Sequence, residues 1–361
     1  MHRENNVYIK RAVCNRNSPG SENNMKKISV IGAGTWGMAL ARMLCNAGHP
    51  VKVWSALPEE IETMKRTRRQ KNLPDMEIPE AITLTSELAE VCDSDAILLF
   101  AVPSVFVRAT AKRVAPFVKE GQIIVDVAKG IEPDTLLSMS EVILSEIPDA
   151  AVVALSGPTH AEEVAKDLPT TIVSACRDMQ VAEEVQAEFT NSVMRVYTNT
   201  DIRGVELCGA LKNIIALASG ISAGLGYGDN TKAAIITRGL TEIARLGLKM
   251  GCLSETFSGL AGMGDLIVTA TSRHSRNNRC GYLIGQGYTP EEAVKQVGMV
   301  VEGINALPAA MTLSERYGVE MPITAGVNAI IREGQKPSDI VKELMARQMK
   351  TELTQAIFRE D

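Results

Sequence analysis

The strongest constraint on the fold is a glycine fingerprint near the start of the chain, in the stretch KISVIGAGTWG over residues 27–37. Gly32, Gly34 and Gly37 follow a short apolar run and precede a segment with helical spacing of apolar residues. In a G-x-G-x-x-G pattern the first glycine permits a tight turn, the second admits a pyrophosphate to the backbone, and the third allows close helix–strand packing. A plain glycine-rich turn shares the pattern, but this strand–helix context predicts a dinucleotide-binding unit.

Short apolar runs and helical patterns alternate from the fingerprint to about residue 200. Strands are predicted at 27–31, 51–54, 96–101, 123–127, 152–155, 171–175 and 193–197. Runs that are apolar on both faces and separated by helices are typical of a parallel sheet covered on both sides. We therefore predict an α/β fold, with a Rossmann-like, doubly wound, mostly parallel sheet over residues 25–200. An all-α substrate and catalytic domain is predicted over residues 201–361, and the polar residues 1–24 are predicted to form a disordered extension.

Composition narrows the classes of function. The chain has 361 residues, a formal net charge of −5 and 22% charged residues. Because nucleic-acid binders usually carry a basic surplus, we expect no nucleic-acid partner. No apolar run comes near the ~18 residues that a membrane span needs, so we expect no stable membrane insertion. Seven dispersed cysteines without C-x-x-C spacing and four scattered histidines indicate reduced thiols in a cytosolic protein and no metal site.

The choice between NAD and NADP depends on the end of the second predicted strand. An acid there, about 20 residues after the glycines, accepts hydrogen bonds from the ribose hydroxyls of NAD. Ser55 and Ala56 occupy that place in this chain, so it carries neither an acid nor an arginine that could clamp a phosphate. The missing acid favours NADP(H), with use of both coenzymes left open.

Two later strand ends carry polar groups suited to an anionic ligand. The strand ending at residue 127 leads into Lys129, and the strand ending at residue 155 leads into Gly157 and Thr159. Ligands of doubly wound sheets bind beyond the carboxyl ends of the strands. Lys129 could therefore supply a positive charge, and Gly157 and Thr159 could supply N–H groups and a hydroxyl. The alternative for Lys129 is a solvated lysine in a turn.

A single charge stands in the apolar stretch LCGALKNIIALASG over residues 207–220, and it is Lys212. Burial of a lysine in such a helix disfavours its charged form and lowers its pKa, which suits proton transfer. A buried charge needs a partner, and Asp265 in the glycine-rich loop GLAGMGDL is the candidate. The alternatives are a lysine that reaches solvent from a helix edge and an aspartate that caps a helix.

A basic and polar cluster follows in the sequence SRHSRNNR over residues 272–279. Arg273, Arg276 and Arg279 stand beside Asn277 and Asn278, although the protein is acidic as a whole. The planar guanidinium group of arginine can donate two parallel hydrogen bonds to the oxygens of one phosphate. The cluster therefore predicts a phosphate site, while a solvated basic loop is the alternative.

Eight segments, taken in order, resemble those of the bacterial-type NAD(P)-dependent glycerol-3-phosphate dehydrogenase family. They are IGAGTWG, AVP, AKGIE, SGPTHAEE, LKNIIALASGI, GLAGMGDL, SRNNR and VVEGI. The resemblance runs from about residue 26 to the C-terminal segment ELMARQMKTE. The family commonly has Arg or His where this chain has Ala56, so the resemblance leaves the coenzyme preference open.

The resemblance also implies a set of site residues. Lys212 is the general acid/base, Asp265 assists it, and Lys129 reaches both coenzyme and substrate. The implied coenzyme contacts are Gly32, Gly34, Thr35, Trp36, Gly37, Lys129, Ala161, Arg276, Val300 and Glu302. The implied substrate contacts are Lys129, Gly157, Thr159, Lys212, Asp265, Ser275, Arg276 and Asn277.

The implied activity is reversible reduction of dihydroxyacetone phosphate to sn-glycerol 3-phosphate for phospholipid synthesis, by a cytoplasmic homodimer. Two alternatives stay open. A related two-domain dehydrogenase, such as a 2-ketopantoate type, acts on a carboxylate substrate and would not especially need the arginine cluster. A non-catalytic NAD(P) sensor would need the glycine loop, but not Lys212, Asp265 and the arginines together.

Overall fold

The computed structural model of the protein describes residues 25–349 and 351, so the extension predicted over residues 1–24 lies outside them. The strands are β1 (Lys27–Ile31), β2 (Val51–Trp54), β3 (Arg69–Gln70), β4 (Leu73–Glu77), β5 (Thr83–Thr85), β6 (Ala96–Phe100), β7 (Ile123–Asp126), β8 (Ala151–Ser156), β9 (Thr170–Ala175) and β10 (Met194–Asn199). The helices between them are α1 (Thr35–Asn46), α2 (Pro58–Thr67), α3 (Leu88–Val91), α4 (Val107–Val114), α5 (Met139–Glu146), α6 (Ala161–Val164) and α7 (Met179–Phe189).

Eight of these strands form one sheet in the order β10-β9-β8-β7-β6-β1-β2-β5. All neighbours pair in parallel except β8 and β9, which are antiparallel. Because β1 lies between β2 and β6, the chain extends outward from β1 in both directions. This is the point at which a doubly wound sheet opens a ligand crevice. The prediction of a Rossmann-like, mostly parallel sheet is confirmed.

The two faces of the sheet pack against different helices. Leu98 and Phe100 of β6 pack on the face covered by α4 and α5, whereas Ile97 and Leu99 pack on the face covered by α1 and α7. All five residues of β6 are buried. A central strand covered on both faces must be apolar throughout, which explains the continuous apolar runs in the sequence.

The rest of the described chain is helical. It comprises α8 (Ile202–Gly224), α9 (Asp229–Lys249), α10 (Ser254–Ser258), a π-helical turn (Leu260–Gly264), α11 (Asp265–Thr271), α12 (Arg276–Gly285), α13 (Pro290–Val297), α14 (Glu302–Tyr317), α15 (Pro322–Glu333) and α16 (Pro337–Met345). The prediction of an all-α second half is confirmed, while the exact division into domains stays a prediction. The six described cysteines are free thiols.

Helix α8 is the core of the helical half, and α9, α11, α12 and α14 all pack against it. It is long and apolar enough to cross a membrane by length and composition. The expectation that no apolar segment reaches that length was therefore wrong, since Lys212 interrupts the run but does not end it. Most of this helix is buried inside the protein, so its apolar character is explained by its central position.

Helices α8 and α12 touch through glycines. A Cβ added at Gly220 would lie 2.0 Å from the carbonyl oxygen of Asn278, and one added at Gly281 would lie 2.2 Å from that of Leu217. Gly224 and Gly285 are equally restricted at the far end of the contact. The two helix backbones therefore lie in direct contact, with no room for side chains between them.

Some short elements escaped prediction. The β3–β4 hairpin contains a proline and buries only scattered positions, and β5 has three residues. Neither the hairpin nor β5 shows a regular spacing of apolar residues in the sequence. Helix α12 was also missed, because its sequence RNNRCGYLIG begins with charged and amide residues that are typical of a loop.

Candidate active site

The candidate site lies at the carboxyl ends of four strands, and helix α8 approaches two of them, β7 and β8. The glycine loop follows β1, and the segments beginning at Ala101, Val127 and Gly157 follow β6, β7 and β8. A Cβ added at Gly209 of α8 would lie 3.3 Å from Ser156 Oγ and 3.4 Å from Lys129 Cγ. The small residue at this position lets α8 approach the strand ends closely.

The glycine loop has the geometry that the fingerprint requires. Gly32 has φ +123°, and a Cβ on it would lie 2.7 Å from the Ala101 carbonyl oxygen. A Cβ on Gly37 would lie 2.1 Å from the Gly32 carbonyl oxygen. At Gly34, by contrast, a Cβ would meet nothing within 4 Å, so an open space lies in front of the backbone at the start of α1. Thr35 Oγ1 is buried beside this space without a hydrogen-bond partner. These residues fit a dinucleotide phosphate, which would bind at this helix N-terminus.

Three ionisable side chains meet at the junction of the sheet and the helical half. Lys212 Nζ lies 2.6 Å from Asp265 Oδ1, and Lys129 Nζ lies 2.6 Å from Asp265 Oδ2. Lys212 also donates to Thr269 Oγ1 at 2.5 Å, and Lys129 donates to the Gly157 carbonyl oxygen at 3.2 Å. One carboxylate thus joins a lysine from a strand end to a lysine from the core helix. The expected contact between Lys212 and Asp265 is present.

Burial decides the protonation behaviour of this triad. Lys212 is 5% exposed and Asp265 is fully buried. Desolvation lowers the pKa of Lys212 from 10.5 to about 7, although the attraction of Asp265 opposes this change and Lys129 adds to it. Burial alone would raise the pKa of Asp265, but the two ammonium groups outweigh burial and hold it below its ordinary value. Asp265 is therefore a fixed anion, and Lys212 can gain or lose a proton near neutral pH.

The polar cluster places its residues in different environments. Ser275 is buried and caps α12, accepting a hydrogen bond from the Asn278 N–H at 3.2 Å. Arg276 is exposed at the first position of α12. Asn277 is buried, and its amide donates to Asn213 Oδ1 at 2.9 Å and accepts from the Gly303 N–H at 2.8 Å. Arg276 is therefore the most accessible of the three predicted phosphate contacts.

The remaining predicted coenzyme contacts lie at or near the starts of three helices. Trp36 is half-buried on α1, Ala161 begins α6, and Val300 lies half-buried just before α14. Glu302 accepts from the Ser104 N–H at 3.1 Å and from Ser104 Oγ at 2.6 Å. Since Ser104 lies just beyond β6, Glu302 ties the first turn of α14 to the edge of the glycine-loop cleft.

Three residues of the site were missed by sequence reasoning. Thr269 lies four residues after Asp265 and could have been found from helical spacing. Asn213 follows Lys212 directly and is the second polar residue of the apolar stretch. Ser104 follows the AVP segment at a strand exit. Thr159, in contrast, was predicted, and its hydroxyl bonds to the Gly157 carbonyl oxygen at 3.2 Å.

Comparison with known proteins accounts for nearly the whole described chain. Residues 27–182 match the family described as NAD-dependent glycerol-3-phosphate dehydrogenase N-terminus, and residues 201–342 match the C-terminus of the same family. The chain belongs to the NAD-dependent glycerol-3-phosphate dehydrogenase family. The resemblance that the eight segments indicated is confirmed, and the chain is an oxidoreductase acting on a CH–OH group.

Individual relatives agree with this assignment. The chain is 64% identical to glycerol-3-phosphate dehydrogenase [NAD(P)+] 2 of Lactobacillus delbrueckii subsp. bulgaricus, over 91% of this chain and 100% of that one. A crystal structure of glycerol-3-phosphate dehydrogenase from Coxiella burnetii superposes with a TM-score of 0.86 at 36% identity, covering 89% of this chain and 99% of that one. A ketopantoate reductase from Ralstonia eutropha, with a TM-score of 0.58 at 16% identity over 87% of this chain and 99% of that one, shares the fold.

Proposed function

We propose that this enzyme reduces dihydroxyacetone phosphate to sn-glycerol 3-phosphate, reversibly, with NAD or NADP as coenzyme. The observation that carries the proposal is the Lys212–Asp265–Lys129 triad, in which Lys212 and Asp265 are buried and Lys129 lies just beyond the end of β7. A bound reduced nicotinamide supplies the hydride for the carbonyl carbon. The protein supplies binding, orientation and proton transfer.

The coenzyme would be held by residues that line the cleft beside β1. The N–H groups at the start of α1 would bind its phosphates, because a helix N-terminus attracts anions. The proposed contacts are Gly32, Gly34, Thr35, Trp36, Gly37, Lys129, Ala161, Arg276, Val300 and Glu302. The unpartnered Thr35 Oγ1 and the open space at Gly34 support this placement.

The proposed proton donor is Lys212. Its ammonium polarises the substrate carbonyl oxygen and protonates the alkoxide as it forms. Asp265 anchors this ammonium, and Lys129 adds positive potential where negative charge develops on the substrate. In the reverse direction the neutral amine of Lys212 accepts the hydroxyl proton.

The proposed phosphate site lies at the start of α12. The exposed guanidinium of Arg276 would bind phosphate oxygens, with Ser275 and Asn277 beside it. Gly157 and Thr159 would contact the three-carbon part of the substrate, together with Lys129, Lys212 and Asp265. Fixing the phosphate orients the carbonyl toward Lys212, and such positioning contributes several kcal/mol to catalysis.

The triad predicts opposite pH dependence in the two directions. Because the pKa of Lys212 is about 7, its ammonium is present below this pH and is lost above it. The turnover number for ketone reduction should therefore fall as pH rises through about 7, and that for alcohol oxidation should rise. Turnover measured in both directions at saturating coenzyme tests this. A reduction rate that stays level from about pH 6 to about pH 9 would contradict the assignment of Lys212 as the acid.

Removal of the proposed phosphate ligand should weaken substrate binding selectively. We expect Arg276→Ala to raise KM for dihydroxyacetone phosphate by about a hundredfold, since a charge-assisted bidentate contact is lost. Arg316→Ala serves as a control, because Arg316 is an exposed arginine in the last turn of α14. Steady-state kinetics measure KM for dihydroxyacetone phosphate in both variants. An unchanged KM for Arg276→Ala would show that Arg276 is not part of the phosphate site.

The proposed activity itself is tested by one assay. Oxidation of NADH and NADPH is followed at the nicotinamide absorbance with dihydroxyacetone phosphate, 2-ketopantoate and no substrate. We expect turnover with dihydroxyacetone phosphate only. Turnover with 2-ketopantoate alone would favour a carboxylate substrate, and coenzyme binding without turnover would favour a sensor.

Three finer predictions accompany the activity. We expect the product to be used in phospholipid synthesis, and we expect the enzyme to be cytoplasmic and homodimeric. These expectations rest on membership of the family, not on a contact in this structure. The sequence-based preference for NADP(H) also stays a prediction. It holds only if no acid from elsewhere in the fold reaches the end of β2.

A further inference from the structure

A carboxylate does lie at the end of β2, although the sequence gives no acid there. Gly32 N–H donates to the Trp54 carbonyl oxygen at 2.9 Å, so the last residue of β2 is bonded directly to the first glycine of the loop. Ser55 is the next residue, and its hydroxyl donates to Glu60 Oε2 at 2.9 Å. The first turn of α2 thus places the Glu60 carboxylate beside the strand end, although Glu60 comes five residues after Ser55 in the chain.

This contact fixes the position of the carboxylate. Ser55 is 5% exposed, and its N–H donates to the Thr85 carbonyl oxygen of β5 at 3.2 Å. Its hydroxyl oxygen also accepts from the Leu57 N–H at 3.2 Å. Ser55 is therefore held by three hydrogen bonds that include the one to Glu60, which is half-buried.

The contact belongs to the start of α2, because Glu60 lies in its first turn and Ser55 Oγ accepts from the N–H of the N-cap residue Leu57. The start of α3 repeats it, with Thr85 Oγ1 accepting from the Glu87 N–H and donating to Glu90 Oε2. Leu57 is the N-cap residue of α2, and no side-chain cap hydrogen bond forms there. Glu60 bonds to the side chain of Ser55, directly after the end of β2. The arrangement therefore orients the carboxylate relative to β2 and the glycine loop, which is where a coenzyme ribose is bound in this kind of sheet.

The charges around the strand end favour a hydroxyl over a phosphate. Ala56 and Leu57 are exposed and uncharged. Arg113 lies with its guanidinium 5.0 Å from the centre of the Trp54 ring. Lys65 of α2 pairs with Glu62, and Arg68, which follows α2, pairs with Glu80. A ribose hydroxyl can donate to Glu60, whereas a 2′-phosphate would bring about two further negative charges against it.

We propose that Glu60 is the residue that selects NAD(H) over NADP(H) in this enzyme. The inference rests on the proposed function only for its dinucleotide coenzyme. It reverses the sequence-based preference for NADP(H), because that preference depended on the absence of an acid at the end of β2.

The test measures coenzyme binding without substrate. The chain has two tryptophans, Trp36 at the glycine loop and Trp54 at the end of β2. Energy transfer from tryptophan to bound NADH or NADPH gives both dissociation constants. We expect the wild-type protein to bind NADH at least about tenfold more tightly, the effect of one unfavourable charge contact. Glu60→Gln keeps the side-chain shape and should reduce this ratio by about tenfold, through tighter NADPH binding.

Two further variants make the result specific. Glu59→Gln removes an exposed charge from the adjacent position of α2 and should leave the ratio unchanged. Ser55→Ala releases the carboxylate and should lower the ratio in the same direction as Glu60→Gln. A wild-type preference for NADPH, or a ratio that is the same in Glu60→Gln and wild type, would overturn the proposal. Selective NADH binding without ketone reduction would instead overturn the proposed activity and leave the role of Glu60 supported.

Discussion

Replacing Lys212 with methionine should lower the turnover number for dihydroxyacetone phosphate by about three orders of magnitude. Methionine fills a similar volume in the apolar surroundings of α8 but can neither donate nor accept the proton. The positive charge that faces the carbonyl oxygen is lost at the same time, so acid catalysis and electrostatic stabilisation fail together. Steady-state rates in both directions measure the effect.

The same variant should still fold and bind coenzyme, because Asp265 keeps its 2.6 Å contact with Lys129. Lys249→Met is the matched control, since Lys249 is an exposed lysine at the end of α9. It should have wild-type turnover. If Lys212→Met retains more than about a tenth of wild-type turnover, general acid catalysis by Lys212 is excluded.

Replacing Asp265 with asparagine should damage both stability and catalysis. Asp265 is fully buried and is the shared partner of Lys129 and Lys212. Removing one member of such a network leaves buried charge uncompensated, and the free energy of unfolding should fall by about 3–5 kcal/mol. Denaturant unfolding measures this change. Asp339→Asn is the control, because Asp339 lies in an exposed pair with Lys342 and should leave stability nearly unchanged.

The catalytic consequence of Asp265→Asn has a distinct pH signature. Attraction by Asp265 raises the pKa of Lys212 against the effect of burial. Without that attraction the ammonium should lose its proton at lower pH, so the descending limb of the reduction profile should move below about 7. A limb at the wild-type pH, together with wild-type stability, would show that Asp265 does not govern the charge of Lys212.

The sequence was most informative where one physical requirement dictates the residue type. Gly32 and Gly37 could be assigned because backbone lies where their Cβ atoms would be. Seven of the eight strands of the sheet could be assigned, and the central ones were clearest because burial on both faces requires continuous apolar runs. Lys212 stood out because a charge in an apolar helix is costly unless it has a partner or a function.

Features that depend on contacts between distant residues could not be predicted from the sequence. Asn277 looks like an available phosphate ligand in the sequence, but its amide bridges Asn213 and Gly303 in the fold. Glu302 bonds to Ser104 across almost 200 residues of chain, a separation of 198. Ser55 and Glu60 are only five residues apart, yet their contact depends on how α2 begins, and no periodic pattern records that.

The glycine contact between α8 and α12 bears on which substrates the enzyme can accept. Lys212 lies on one of these helices, and Arg276 begins the other. Because the two backbones touch at Gly220 and Gly281, the helices cannot slide or separate without losing close packing along several turns. The distance between the backbones that carry the proposed proton donor and the proposed phosphate ligand is thereby fixed. A longer sugar phosphate, with its carbonyl farther from the phosphate, would reach one end of this span and miss the other.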